Sequence, residues 1–260
     1  MAMVKRDELT SFINKYFEPY EKLAGESEMV VNGLQVIGGE EVSKVGLGVS
    51  ASLEFFQKSY QSGCDFLIVH HGFNISQQII NNIPVPLLQE RLRFLYKNDI
   101  SLAGYHFLLD HHPEIGNNVS VLKSLNASIL GNIHGYWGWY GDLPQEKELS
   151  EIVSFLENIY QHPAQVIGKE KRLIKRIAVV SGSGGPDIEI ADEFRVKGID
   201  LLVVGDFRES HFGVINELGL TAAAFGHYNT ETIGIKNLGE VIKKEFPSLS
   251  VEFVDVPNEL

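Results

Sequence analysis

Apolar and polar positions along this chain switch between two periods. Over residues 7–23 the apolar residues Leu9, Phe12, Ile13, Tyr16 and Phe17 return every three or four positions, which predicts an amphipathic helix. Shorter apolar runs at 45–49, 65–69 and 100–104 read as buried strands. Ser50 or Ser52 can cap a helix reaching Ser62, and a further helix is predicted over 86–98. Beyond Gly131, the stretch from Tyr136 to Pro144 is dense in aromatic residues and reads as a loop. The alternation then resumes: helix 148–160, strand 176–181, helix 187–197, strand 200–204, helix 209–218 and strand 221–225. A last helix through Lys244 precedes an alternating strand over 251–255. Such an order favours an α/β fold.

The two halves repeat each other. Gly63-Cys64-Asp65-Phe66-Leu67-Ile68-Val69 parallels Gly198-Ile199-Asp200-Leu201-Leu202-Val203-Val204. Downstream, Gly104-Tyr105-His106 with Asp110 parallels Gly226-His227 with Glu231, so that a histidine leads a carboxylate by four residues just past a strand in both. We read two α/β lobes of similar topology whose strand ends face a shared cleft. The first spans 1–128 and is completed by 235–260; the second spans 129–234.

Composition narrows the partners. A formal charge of −12 over 260 residues, with no run of Lys or Arg, argues against a nucleic-acid groove. That balance also repels phosphates unless bound cations reverse it locally. The single cysteine, Cys64, excludes an intrachain disulfide and a cysteine-based zinc site, and it reads as a small buried residue. No signal-peptide pattern opens the chain and no apolar stretch approaches the roughly 20 residues of a membrane span. The expectation is a cytoplasmic protein with no membrane partner.

Histidine and carboxylate therefore carry the candidate chemistry. The pair His70-His71 ends the run 66–69, at the carboxyl end of a predicted buried strand, where ligands of open α/β sheets collect. His106 with Asp110, His111-His112, and His227 with Glu231 supply further donors. Taken singly, each has an ordinary reading: a hydrogen-bonded histidine, a helix cap at Asp110, a solvated first-turn charge at Glu231. Taken together they suit Zn, Mn, Fe, Ni or Co, and five or six donors with a carboxylate able to bridge suit two ions. His134, His162 and His211 read as surface or loop residues. The run Ser181-Gly182-Ser183-Gly184-Gly185-Pro186 reads as a tight strand-to-helix turn, with a phosphate cradle as the alternative.

Several segments, in order, resemble one family: Asn32-Gly33-Leu34-Gln35-Val36, Val69-His70-His71-Gly72, Gly104-Tyr105-His106 through Asp110, and 112–118 (His-Pro-Glu-Ile-Gly-Asn-Asn). So do 138–144 (Gly-Trp-Tyr-Gly-Asp-Leu-Pro), Gly182-Ser183-Gly184-Gly185, Gly226-His227 with Glu231, and Val256-Pro257-Asn258. The pattern is similar to the NGG-one-interacting-factor-three-like proteins, homologues of type 2 GTP cyclohydrolase 1. The resemblance implies two linked α/β lobes with a dinuclear metal site in the cleft between them. It implies His70, His71, Asp110, His227 and Glu231 as ligands of two divalent ions per subunit (Zn, Fe, Mn or Ni), with Glu231 bridging. It further implies a ring-shaped homohexamer and a metal-dependent hydrolase attacking the guanine ring of a small-molecule substrate such as GTP, for which His106 and His112 are the expected proton carriers. A non-catalytic metal-binding or metal-handling protein, or a hydrolase of another phosphorylated or cyclic substrate, is the alternative. Tyr228, Glu259 and His111 depart from the common pattern without removing a ligand.

Overall fold

The computed structural model describes residues 3–24, 32–74, 78–80, 83–135, 137–168 and 173–258. Two sequence features, Tyr136 of the aromatic stretch and Glu259, lie outside the described residues. The fold is mixed α/β and divides into two compact units: 1–109 with 235–256, and 110–234 with the last four residues.

The first unit is built on a five-stranded sheet. Its parallel strands are β4 (Lys44–Ser50), β5 (Phe66–His71), β8 (Ser101–Gly104) and β15 (Ser250–Phe253), and β2 (Gly33–Val36) is antiparallel at one edge. The spatial order is β15-β4-β5-β8-β2. Two two-residue pairs, β1 (Val4–Lys5) with β3 (Glu41–Val42) and β6 (Ile79–Ile80) with β7 (Ile83–Pro84), stand apart from it. Strand β5 is central, so Phe66, Leu67, Ile68 and Val69 are all fully buried, which explains why its sequence is continuously apolar and does not alternate. Each such side chain contributes about 1.5–3 kcal/mol of burial. Helix α1 (Arg6–Ala24) buries Leu9, Ile13 and Phe17, the stripe its periodicity predicts. Helix α2 (Leu53–Gln61) starts at Ser52, whose hydroxyl accepts from the Phe55 amide at 3.1 Å, and buries Phe55 and Phe56. Helix α3 (Pro86–Lys97) adds Leu88 and Leu95 to the same core.

The second unit carries a six-stranded sheet in the order β11-β14-β13-β12-β10-β9. These strands are β9 (Ser128–Ile133), β10 (Gly138–Glu148), β11 (Gln165–Gly168), β12 (Leu173–Val180), β13 (Leu201–Val204) and β14 (Thr221–Ala224). Strands β12, β13 and β14 run parallel; β10 and β11 flank them antiparallel. Alternate residues of the central strands feed two cores. Ile177, Val179, Leu201 and Val203 pack with Val121 and Leu122 of α5 (Asn117–Ser124) and Ile152 and Leu156 of α6 (Leu149–Tyr160). Ala178, Val180, Leu202 and Val204 pack with Phe194 of α7 (Ala191–Val196) and Ile215 of α8 (Glu209–Leu218).

The repeat seen in the sequence corresponds to shared topology. Both units contain three parallel strands in the same order, β4-β5-β8 and β12-β13-β14, each ended by an antiparallel strand from earlier in the chain, β2 and β11. Even the repeated aspartate has one job. The Asp65 carboxylate accepts from the Ser43 and Lys44 amides at 2.9 and 3.1 Å, and Asp200 accepts from Lys175 and Arg176 at 3.0 and 2.9 Å. Each fixes the entry of the neighbouring parallel strand.

Three expectations change. The divide falls at Leu109/Asp110 rather than at 128/129, because Val121 and Leu122 of α5 and Leu125 just after it pack into the core of the second unit. The aromatic stretch is largely strand: β10 pairs with both β9 and β12, so Trp139 and Tyr140 sit in a ladder and not in a loop. The predicted helix 187–197 shrinks to α7, which begins only at Ala191. Among the described residues no helix is long and apolar enough to cross a membrane. Cys64 is buried, as its composition suggested.

Candidate functional site

In the first unit His70 and His71 close strand β5, and His106 follows β8, the adjacent parallel strand. Sheet geometry thus gathers three imidazoles. The ring centroids of His70 and His71 are 4.8 Å apart, those of His70 and His106 4.8 Å, and those of His71 and His106 5.3 Å. One ring nitrogen from each lies within 4.8 Å of the other two, close enough to share an ion.

The surroundings orient these rings. His70 Nδ1 lies 3.2 Å from the Tyr105 carbonyl, so Nδ1 carries the proton and Nε2 keeps its lone pair. His71 Nδ1 sits 3.2 Å from Ser50 Oγ. A hydrogen bond on one nitrogen that aims the other is the usual support of a metal-binding histidine. The segment 32–36 acts at the same place. Asn32 Oδ1 accepts the His106 amide at 2.9 Å, while Gln35 pairs with the Phe73 backbone through Oε1 at 2.7 Å and Nε2 at 3.1 Å. Gly72 leaves room for this contact, since a Cβ there would lie 2.5 Å from Gln35 Oε1 and push the amide off Phe73.

In the second unit the donors surround the turn Ser181-Gly182-Ser183 that leaves β12. Asp110 lies in the short helix α4 (Phe107–His111) and is buried. Its Oδ1 accepts from Ser181 Oγ at 2.6 Å and from Asn117 Nδ2 at 2.8 Å. Asn118 ties the same corner together. Its amide nitrogen donates to the Asp110 and Trp137 carbonyls at 3.2 and 2.8 Å, and its oxygen accepts the Ser181 amide at 2.7 Å.

On the other side of that turn, His227 opens the one-turn helix α9 (His227–Thr230), and Glu231 follows it. His227 Nε2 stands 3.2 Å from Glu231 Oε1. Its Nδ1 donates to Asp206 Oδ2 at 2.5 Å. Burial works against a charged imidazole here, but the hydrogen bonds and negative charges of Asp206 and Glu231 outweigh it and push His227 up to about 10. In turn His227 and Ser183 hold the Asp206 carboxyl below its ordinary range against burial. A ring between two carboxylates attracts a cation, a proton or a metal ion, and Glu231 is a buried oxygen donor beside it.

The three imidazoles of the first unit fit a first-row divalent ion, and in the second unit His227 and Glu231 add an imidazole and a carboxylate of the same donor chemistry. His112 is used differently. Its Nδ1 accepts from the Glu114 and Ile115 amides at 3.1 and 3.3 Å, and burial with the charges of His111 and Lys123 lowers it to about 4. It is neutral near pH 7 and braces the turn 113–115. His111 lies against Trp139, whose indole N–H donates to the His111 carbonyl at 2.9 Å.

Of the histidines read as surface or loop residues, two are buried, His134 in the turn after β9 and His211 in α8. His134 Nε2 is 3.0 Å from the Gly185 carbonyl, and His211 Nδ1 accepts the Arg208 amide at 3.1 Å, so both tie loops to the second unit. The glycine run 182–185 is no phosphate cradle at a helix start, because helix α7 begins six residues later. Ser181 before it and Ser183 within it face Asp110 and Asp206. Asp206 was not singled out from sequence, while Ser183 and the two asparagines stood only as members of motif segments and Ser50 only as a candidate helix cap. For Asp206 a signal existed: it ends the second copy of the repeat where His71 ends the first.

Comparison with known proteins agrees with this picture. The family model described as Duf34/NIF3 (NGG1p interacting factor 3) matches residues 4–259. A Pyrococcus horikoshii protein named GTP cyclohydrolase 1 type 2 homolog is 36% identical, with 98% of this chain and 99% of the relative aligned. The Escherichia coli K12 protein of the same name is 34% identical over 98% of this chain and 99% of its own. Among solved structures, protein ybgI, of unknown function, superposes with a TM-score of 0.84 at 31% identity, covering 99% of this chain and 100% of that one. Reduced HcgD from Methanocaldococcus jannaschii gives 0.83 at 25% identity, with coverage of 98% and 100%. Motif order, fold and relatives coincide over nearly the whole length, and the chain belongs to the Duf34/NIF3 family.

Proposed function

We propose that this chain binds two divalent ions per subunit through His70, His71, Asp110, His227 and Glu231 and hydrolyses a small phosphorylated or cyclic substrate. The guanine ring of GTP is the first substrate to test, since the curated relatives carry the name GTP cyclohydrolase 1 type 2 homolog. In this reading the two units act as lobes around one dinuclear centre, in a cytoplasmic protein assembled as the hexamer that the family resemblance implies. The observation that carries it is the cluster of His70, His71 and His106, with ring nitrogens mutually within 4.8 Å and His70 aimed by a backbone carbonyl.

Bound there, divalent ions supply Lewis acidity and allow water to ionise near neutral pH. The chain's residues do the rest. Asp110 and Glu231 bring negative charge that offsets the ions. Ser181, Asn117 and Asn118 hold Asp110 in one orientation. His106, beside His70 and His71, is the proposed proton carrier. His112, braced and neutral, serves the turn that follows Asp110.

The test is elemental analysis of protein purified without chelator, followed by incubation with GTP under Zn, Mn, Fe and Ni. Two equivalents per subunit, both lost in Asp110→Ala, with formate release, support the full reading. Bound ions without turnover of GTP, phosphoesters or cyclic amides support the metal-handling alternative. Protein that takes up no ion refutes both.

A further inference from the structure

We propose that Asp206 is the positioning residue of the site in the second unit: backed by Ser183, it fixes His227 with Nδ1 protonated and Nε2 presented, beside Glu231, to a divalent cation. This rests on the metal reading above.

Geometry restrains Asp206 from several sides. Its Oδ2 receives His227 Nδ1–H at 2.5 Å. Ser183 Oγ lies 2.7 Å from Oδ1 and 3.0 Å from Oδ2, and the Asp206 amide donates to the Gly182 carbonyl at 3.1 Å. With Nδ1–H committed to the carboxylate, Nε2 is the ring nitrogen turned to Glu231 Oε1, 3.2 Å away. Glu231 balances a cation held at Nε2, either the proton of the free imidazole or a divalent ion that replaces it.

The supports of the donor histidines differ in charge. His70 leans on a backbone carbonyl and His71 on a serine hydroxyl, both neutral, whereas His227 leans on a carboxylate. A carboxylate behind imidazole raises its basicity and strengthens it as a ligand.

The internal repeat gives independent support. Val204-Gly205-Asp206 occupies the place of Val69-His70-His71, and His227 that of His106. The same two positions meet in both units, as the rings of His71 and His106 in one and as Asp206 and His227 in the other. A serine from the end of the preceding parallel strand or its turn backs the first position each time, Ser50 for His71 and Ser183 for Asp206. Where the first copy places a donor, the second places the group that aims one.

The experiment uses the full chain and Co2+ alone, with equilibrium binding in competition against a chelator, the visible d–d absorption of bound Co2+, and the melting temperature of metal-free protein. Asp206→Ala should weaken Co2+ binding about 10- to 100-fold and alter the d–d spectrum, with Asp206→Asn between it and wild type. Asp142→Asn, which breaks a distant ion pair, should lower the melting temperature while leaving Co2+ affinity and spectrum as in wild type. Should Asp206→Ala fail to fold, the near-isosteric Asn variant decides. Wild-type affinity and spectrum in the Asp206 variants, whatever their melting temperature, overturn the positioning role alone. Absence of Co2+ binding by the wild type overturns the metal reading and this inference with it.

Discussion

Replacing Gly182 by Ala probes the second unit with one methyl group. Gly182 has φ +62°, in the left-handed region, and a Cβ there would sit 2.5 Å from Glu231 Oε1 and 3.2 Å from His227 Nε2. Alanine in that conformation costs about 1–2 kcal/mol. Overpacking a filled site adds about 1–3 kcal/mol. Glu231 is the flexible partner, but it is buried, so relief comes by moving its carboxylate off His227. The backbone leaves little freedom to shift instead. The Gly182 amide donates to Thr230 Oγ1 at 3.1 Å, and its carbonyl accepts from the Gly205 and Asp206 amides at 2.8 and 3.1 Å. The expected cost is about 2–5 kcal/mol, or about 4–20 °C of melting temperature for a chain of this size. Divalent-ion affinity should fall at least about tenfold, since ligand and histidine are both displaced. The matched control is Gly213→Ala. Gly213 lies inside helix α8 with nothing near a built Cβ, so alanine should stabilise by about 0.5–1 kcal/mol. Calorimetry and chelator competition read both variants. A Gly182→Ala protein as stable as wild type with unchanged ion affinity would refute the argument.

Other outcomes follow from the same contacts. Asn118→Ala leaves the Ser181 amide and the Trp137 carbonyl without this partner in a closed corner, and should cost about 2–4 kcal/mol in denaturant titration. Asp142 and Arg176 form a two-point pair, Nε to Oδ1 at 2.7 Å and Nη2 to Oδ2 at 3.0 Å, which holds the Asp142 carboxyl below its ordinary value. Because the folded value lies below the unfolded one, the native state binds fewer protons. The contribution of the pair, about 1 kcal/mol, is complete above the unfolded value near 4 and disappears as pH falls through the folded value. Asp142→Asn should therefore be less stable than wild type at pH 7 and equal to it near pH 2. Burial, together with the charge of Glu252, pushes the Cys64 thiol up to about 12, so a thiol reagent at pH 8 should label it only after unfolding.

The legible part of this chain is the part written in single strands and helices. Continuous apolar runs marked β5 and β13, and three- to four-residue spacing marked α1. His70-His71 was visible because it interrupts such a run at its carboxyl end. What escaped depends on pairing between distant segments. Trp139 and Tyr140 look like loop residues until β9 and β12 flank them, and a ladder with two neighbours cannot be read from one strand's composition. The first unit's boundary was misplaced for a similar reason: α5 is amphipathic in either unit, and only contact decides which core takes Val121 and Leu122.

Residues that support donors were hidden more deeply than the donors. Ser, Asn and Asp near strand ends are common turn formers, so Ser183 or Asn117 carries no mark of chemistry in a sequence. The repeat could have exposed Asp206. If Val204-Gly205-Asp206 is laid on Val69-His70-His71, an acidic residue falls where the first copy has a histidine, at the carboxyl end of a parallel strand. Two copies that keep a strand but exchange a base for an acid at its end have divided one role into two. The first unit gathers neutral imidazoles, whereas the second surrounds one imidazole with carboxylates.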